Sequence, residues 1–293
     1  MNSFAHLAPE VEVHMESQGS RISFLRQKNF PYVHNHYSNA ALAWLADAYE
    51  HEYGKGRPLG LHIVGDSGMG KSRIFKFYKD SLASESRDDE GRKYQGVMHV
   101  EVSSTGSHVD LCNLLADACV PDFKLRRGVG MDKELCRLLK QFGVRQILID
   151  EAGNFLNGGP KSVSICLSTL KSLSNAGFAL SIATTMNWRN VLASDEQLGS
   201  RFTHLKLSRW EESLSFRSFL KGVERYLPLP SPSGLDKREH LRWLLSHNFC
   251  TTDDILRVLI RASIIAISED EPCLSRSILE RAELLMTPNP AVG

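Results

Sequence analysis

Apolar residues along this chain switch repeatedly between helical and strand spacing. Over residues 38–53, Leu42, Leu45, Ala46 and Tyr49 share one face, and the spacing predicts a helix. A Gly-Lys-Gly-Arg-Pro stretch at 54–58 ends it. Residues 59–64 are a short apolar run, the pattern of a buried strand, and Ile74, Phe77, Tyr78 and Leu82 then return to helical spacing. An acidic, serine-rich stretch at 84–90 reads as an exposed loop. A second strand is expected at 97–102 and a helix near 109–119. Asp132 is placed to cap a helix carrying Leu135, Leu138, Leu139 and Phe142, which Gly143 closes. Ile147, Leu148 and Ile149 form a buried strand ending in Asp150 and Glu151. Val163, Cys166, Leu167, Leu170 and Leu173 mark another helix, and strands follow at 178–183 and 202–207. Strands alternating with helices imply a mostly parallel sheet covered on both faces.

After Trp210 the strand spacing disappears. Residues 211–227, 235–246, 252–267 and 275–286 read as helices, with Pro228, Pro230 and Pro232 as interruptions. Residues 1–30 lack clear periodicity and read as an arm or extension.

Bulk properties narrow the picture modestly. The 293 residues carry a formal net charge of +1, so no global field draws the chain to nucleic acid or membrane. Such binding would need a local patch, and Lys124, Arg126 and Arg127 form the densest basic cluster without nearby acids. Lys161 and Lys171 are the next candidates. The six cysteines are scattered without a Cys-x-x-Cys pair, which argues against a zinc ribbon and for free thiols in a reducing compartment. His34 and His36 lack a third ligand at helpful spacing. No basic and apolar leader is visible, and no apolar run approaches the ~18 residues of a membrane span. A cytoplasmic, membrane-free protein is expected.

The chemistry concentrates at the ends of strands. Gly65-Asp66-Ser67-Gly68-Met69-Gly70-Lys71-Ser72 matches G-x-x-x-x-G-K-[S/T], the Walker A loop, and lies between an apolar strand and an amphipathic helix. Glycines let successive N–H groups turn inward on a phosphate, and the helix adds its positive end. Lys71 is expected to reach the β- and γ-phosphates of ATP, and Ser72 to ligate Mg²⁺. Arg73 is grouped with the nucleotide contacts. Asp150 and Glu151 read as the Walker B acids, Asp150 in the Mg²⁺ shell and Glu151 polarising the attacking water. The strand at 178–183 runs into Thr184, favoured over Asn187 to contact the γ-phosphate or the water. Arg201, just before the last strand, stands where an arginine finger would serve a neighbouring subunit. Tyr32 and Val33 are candidates for packing on adenine.

Together these motifs resemble the AAA+ class. Four runs, Gly65–Ser72, Ile147-Leu148-Ile149-Asp150-Glu151-Ala152-Gly153-Asn154, Gln197-Leu198-Gly199-Ser200-Arg201-Phe202 and Leu207-Ser208-Arg209-Trp210, resemble the TniB/TnsC family of transposition regulators. So does the stretch from Tyr226 to Leu235. The chain departs from that pattern at Gly153, where a histidine is common, and at Cys250 to Asp253, where a glycine commonly precedes the third lid helix. The second departure leaves Arg257 without support as a sensor of nucleotide.

The resemblance implies an α/β AAA+ P-loop NTPase with a five-stranded parallel sheet and a small C-terminal helical lid. The expected division is an N-terminal extension at 1–30, the nucleotide-binding domain at 31–209 and the lid at 210–293. It also implies a bacterial ATPase that assembles as a ring or helical filament on double-stranded DNA and connects target choice to a transposase of the DDE integrase-like type. A TniQ-type adaptor would join it, and hydrolysis would disassemble the polymer. The rival readings are a helicase loader or replication initiator, and a DNA-coating protein that does not hydrolyse ATP.

Overall fold

A computed structural model gives the fold and describes residues 4–27, 30–82, 96–103, 107–125, 128, 130–185, 192 and 195–286. The chain opens with α1 (Pro9–Glu12), α2 (Gln18–Leu25) and α3 (His36–His51). It continues through β1 (Gly60–Gly65), α4 (Lys71–Ser81), β2 (Val97–Glu101), α5 (His108–Cys119) and α6 (Met131–Gln141). Next come β3 (Gln146–Asp150), a 3-10 helix (Ala152–Gly158), α7 (Gly159–Asn175) and β4 (Ala179–Thr184). The last elements are α8 (Glu196–Gly199), β5 (Phe202–Leu207), α9 (Leu214–Glu224), α10 (Arg238–Ser246), α11 (Thr252–Ser268) and α12 (Arg276–Leu284). Among the described residues no helix is long and apolar enough to cross a membrane.

Two compact units result, one spanning Tyr37–Ser208 and the other combining the residues up to His36 with those from Arg209 onward. In the first, the five strands pair in the order β2-β3-β4-β1-β5, parallel throughout. Every residue of β1, β3 and β4 is buried, which explains why their runs are mostly apolar. β5 lies at an edge, where Thr203, His204 and Lys206 are exposed. Leu111, Leu115, Leu135, Leu139, Phe155, Leu170 and Phe178 pack with the sheet residues Ile147, Ile149 and Ile182 into one core. Because the strands run parallel, Gly65, Asp150 and Thr184 all arrive at the same edge of the sheet. The order β3-β4-β1 sets them side by side there. Open α/β sheets bind ligands at such carboxyl ends.

Local signals fixed most element ends. Ser107 and Asp110 form a reciprocal capping box at the start of α5. Gly143 has φ 68 and closes α6 as expected. Its start differs, since Gly130, with φ 100, is the N-cap and Asp132 falls inside the first turn. An acid there still favours the positive helix end.

In the second unit, α1, α2 and the two residues before α1 contribute Leu7, Ala8, Val11, Phe24 and Leu25 to a core shared with α9–α12. Where periodicity suggests an arm, residues 4–27 therefore form short helices that bury apolar surface. The Ala8 N–H donates to the Arg225 carbonyl at 2.8 Å, tying α1 to the end of α9. Trp210 stacks on Phe219 and Phe216, with ring centroids 4.7 and 5.3 Å away, and its Nε1 donates to Thr252 Oγ1 at 3.0 Å.

Candidate functional site

The loop after β1 is shaped by backbone constraints. A Cβ at Gly65 would approach the Leu207 carbonyl oxygen to 2.9 Å, so glycine lets β5 come close at that point. Gly70 has φ 89, a left-handed turn that starts α4 without a side-chain cap. The Ile74 N–H donates to the Gly70 carbonyl at 3.1 Å, and the amides of Lys71, Ser72 and Arg73 lie in the turn before it. Met69 is buried and anchors the loop, Ser67 is exposed, and Asp66, Gly68 and Arg73 are half-buried. A helix start with uncapped first-turn amides suits an anion.

Lys71 folds inward and is 6% exposed. Its Nζ donates to the carbonyls of Gly65 and Asp66, each at 2.9 Å. Burial pushes its pKa below the ordinary lysine value, and the charges of Glu151, Asp150 and Asp66 oppose that shift. The ammonium is thus fixed inside the loop beside the two acids at the end of β3.

Asp150 is 1% exposed. Burial alone would raise its pKa. Interactions with His99 and Ser72 and the Glu151 amide outweigh it and hold the carboxyl below the usual aspartate value. The Glu151 N–H donates to Asp150 Oδ1 at 2.8 Å, whereas His99 Nε2 stands 3.7 Å from Oδ2, beyond hydrogen-bond distance. Ser72 and Asp150 put a hydroxyl and a carboxylate together, the hard oxygen donors that suit Mg²⁺. The residues present therefore fit the nucleotide and the metal that the loop sequence implies. Glu151 itself sits at φ 50, ψ 32, a left-handed conformation that is uncommon for a residue with a side chain. Asn154 braces this turn: its N–H donates to the Glu151 carbonyl at 2.9 Å and its Nδ2 to the Val102 carbonyl at 2.8 Å. Strain of this kind clusters at functional sites.

Thr184 ends β4 and is buried. Its Oγ1 lies 2.6 Å from His62 Nε2 and donates to the Thr185 carbonyl at 2.9 Å. Asn187, the alternative at this strand end, lies outside the described residues. His62 and His99 belong to no sequence motif, yet each breaks an otherwise apolar strand, the first in Leu61-His62-Ile63 and the second in Met98-His99-Val100. A polar residue in a run that must be buried was the available signal.

Arg201 is not part of this cluster. It precedes β5, and its carbonyl accepts the Gly60 N–H at 2.6 Å, at the end of the sheet opposite Gly65. About five residues at ~3.3 Å each separate the two ends of β1, so the side chain cannot serve its own loop. Its Nη1 donates to Ser174 Oγ at 2.8 Å and Asn175 Oδ1 at 2.9 Å, and the residue is 9% exposed. Of the basic cluster, Lys124 is exposed between α5 and α6, next to the buried Leu125; Arg126 and Arg127 lie outside the described residues. Lys161 is exposed in the first turn of α7, while Lys171 pairs with Asp195 at 2.5 Å.

No curated protein matches the chain. Solved structures do. The ORC1 protein of Aeropyrum pernix in complex with DNA aligns over 90% of this chain and 69% of its own, at 16% identity and TM-score 0.60. The ORC2 protein of the same organism, in ADPNP–ADP complexes, aligns over 88% and 70% at 13% identity and TM-score 0.61. Domain III of the Thermotoga maritima replication initiation protein DnaA aligns over 87% and 93% at 16% identity and TM-score 0.51. At such identities the likeness concerns the fold, which is that of an AAA+ P-loop NTPase. The family is given by sequence: the model of the bacterial TniB protein matches residues 21–212, across all five strands, and the chain belongs to the TniB family.

Proposed function

We propose that this protein is an ATP-hydrolysing switch that assembles on double-stranded DNA and connects target selection to a transposase. The observation that carries the proposal is the meeting of Lys71, Asp150, Glu151 and Thr184 at one edge of a parallel sheet, beside a glycine loop that opens a helix. Lys71 and the first-turn amides of α4 would hold the β- and γ-phosphates. Mg²⁺, held through Ser72 and Asp150, would neutralise developing phosphate charge. Glu151 would take a proton from water as the water oxygen bonds to the γ-phosphorus and the bond from phosphorus to the β-phosphate oxygen breaks, leaving ADP and phosphate. Thr184 would sense the γ-phosphate or position that water. Arg201, remote from its own loop, would act on the site of a neighbouring copy.

DNA enters the proposal through family membership, the likeness to a structure solved with DNA, and the exposed Lys124 beside Arg126 and Arg127 in sequence. A near-neutral chain needs such a local patch for phosphate contacts. A TniQ-type adaptor and the transposase are the further partners proposed, with ring or helical self-assembly on the duplex. Fluorescence anisotropy with duplex and single-stranded oligonucleotides, in ATP and in ADP, tests the reading. ATP-dependent binding that favours duplex is expected. Preference for single strands would overturn it and favour a helicase loader.

A further inference from the structure

His62 lies in the middle of β1, with β4 on one side and β5 on the other, and is 0% exposed. The strand register puts His204 of β5 directly opposite it. On the other side Ile182 is opposite, and Thr184 lies two residues farther along the same face. Three polar side chains thus form a row across three strands. His204 Nδ1 is 3.0 Å from His62 Nδ1, and His62 Nε2 is 2.6 Å from Thr184 Oγ1.

The hydroxyl geometry gives this row a direction. Thr184 has one hydroxyl proton, which it donates to the Thr185 carbonyl at 2.9 Å. Toward His62 the Thr184 oxygen is therefore an acceptor, and Nε2 of His62 carries the hydrogen. A neutral imidazole protonated at Nε2 has a lone pair at Nδ1, which accepts from the Nδ1–H of His204. The donors run from His204 to His62, from His62 to Thr184, and from Thr184 to the Thr185 carbonyl. The row starts at the exposed His204 and runs inward to the buried His62 and Thr184, and hydrogen bonds aligned head to tail away from water polarise one another.

From this geometry we propose that His62 is a positioning residue for the nucleotide sensor. Its Nε2–H pins the oxygen of Thr184 and leaves the hydroxyl proton free to turn from the Thr185 carbonyl to a phosphate oxygen or a water. A threonine oxygen has a second lone pair, so the switch needs rotation of one O–H and no movement of the strand. The inference rests on the proposed role of Thr184 at the nucleotide.

The test uses the full chain with duplex DNA, measuring ATP affinity and single-turnover hydrolysis for His62→Leu, His62→Gln, Thr184→Val and the His62→Leu/Thr184→Val double variant. His62→Leu should slow hydrolysis roughly tenfold or more with affinity changed by less than about threefold, because a transition-state contact loses its support. His62→Gln, whose amide N–H can take the place of Nε2–H, should recover most of that rate. In the Thr184→Val background, His62→Leu should add no further loss. An equal loss in both backgrounds removes the role of His62 alone. Thr184→Val turning over like wild type removes the sensor role of Thr184 and the role of His62 with it. Nitrogen NMR of labelled histidine supplies a readout independent of turnover: His62 protonated at Nε2 supports the chain of donors, and protonation at Nδ1 with Nε2 bare overturns it.

Discussion

Replacing Arg201 with alanine separates two roles for its guanidinium. One is structural: Nη1 bonds Ser174 and Asn175 at the end of α7, and removing it leaves both acceptors without that donor. Hydrogen bonds from a charged donor contribute about 1.5–3 kcal/mol each at most, and partial rehydration of the two acceptors once the side chain is removed brings the total loss to about 2 kcal/mol. For a domain of this size that lowers Tm by about 4–8 °C. The other role is proposed, in trans, and a finger of this kind is worth roughly 10³–10⁵ in kcat. Arg201→Ala protein should therefore bind ATP normally and hydrolyse it at least about a thousandfold more slowly. Mixing decides the matter. At ATP concentrations well below their raised Kd, Lys71→Ala subunits stay empty but still present Arg201, and Arg201→Ala subunits bind ATP but lack the arginine. In a head-to-tail assembly an equal mixture has about a quarter of its sites complete and should recover about that share of turnover. Steady-state phosphate release across mixing ratios is the assay. If neither mutant regains activity at any ratio while both still assemble, or if Arg201→Ala loses only Tm, Arg201 is a structural residue.

Three further outcomes are expected. Lys71→Ala should reduce ATP affinity about tenfold to a hundredfold without lowering Tm, since it also removes an ammonium whose burial disfavours its charge; isothermal titration with unchanged affinity would refute the loop assignment. Glu52 accepts the Leu59 N–H at 2.8 Å and pairs with Lys55 at 2.6 Å. Burial raises its pKa, but those bonds outweigh it and the value lies below the ordinary one. A depressed carboxyl stabilises fully above its unfolded pKa of about 4.3 and loses that contribution as pH falls through the lower folded value. Urea titrations should show Glu52→Gln about 1–2 kcal/mol less stable at neutral pH, with the gap closing in acid; a gap independent of pH would contradict this. Replacing Lys124, Arg126 and Arg127 together by alanine should reduce the salt dependence of duplex binding by up to about three units of slope, and an unchanged slope would move attention to the exposed Lys161.

Of the candidate site, the parts legible in the sequence are those whose chemistry demands a fixed local spacing. The loop from Gly65 to Ser72 and the strand ending at Asp150 are contiguous motifs, and β5 at Phe202–Leu207 follows from its residues alone. Features made by pairing distant strands were not legible. His62 meets Thr184 and His204 because β1 lies between β4 and β5, and no local pattern encodes that register. The hold of Ser174 and Asn175 on Arg201 likewise depends on where α7 ends beside the sheet. α1 is a single turn and α2 is short, too brief to show a periodicity, and their order comes from burying Val11, Phe24 and Leu25. Asp132 looked like a cap by residue type, but Gly130 could adopt the positive φ that turns the chain two residues earlier.

The proposed role of Glu151 can be measured with one substitution. Glu151→Gln keeps the size of the side chain and removes its capacity to accept the water's proton. The variant should bind ATP with the wild-type Kd and hydrolyse it about 10²–10⁴-fold more slowly. Its lifetime on duplex DNA in ATP, followed by single-molecule fluorescence, should be correspondingly longer than that of wild type. Hydrolysis near the wild-type rate, or release from duplex as fast as wild type despite blocked hydrolysis, would contradict a switch that leaves DNA by splitting ATP at this site.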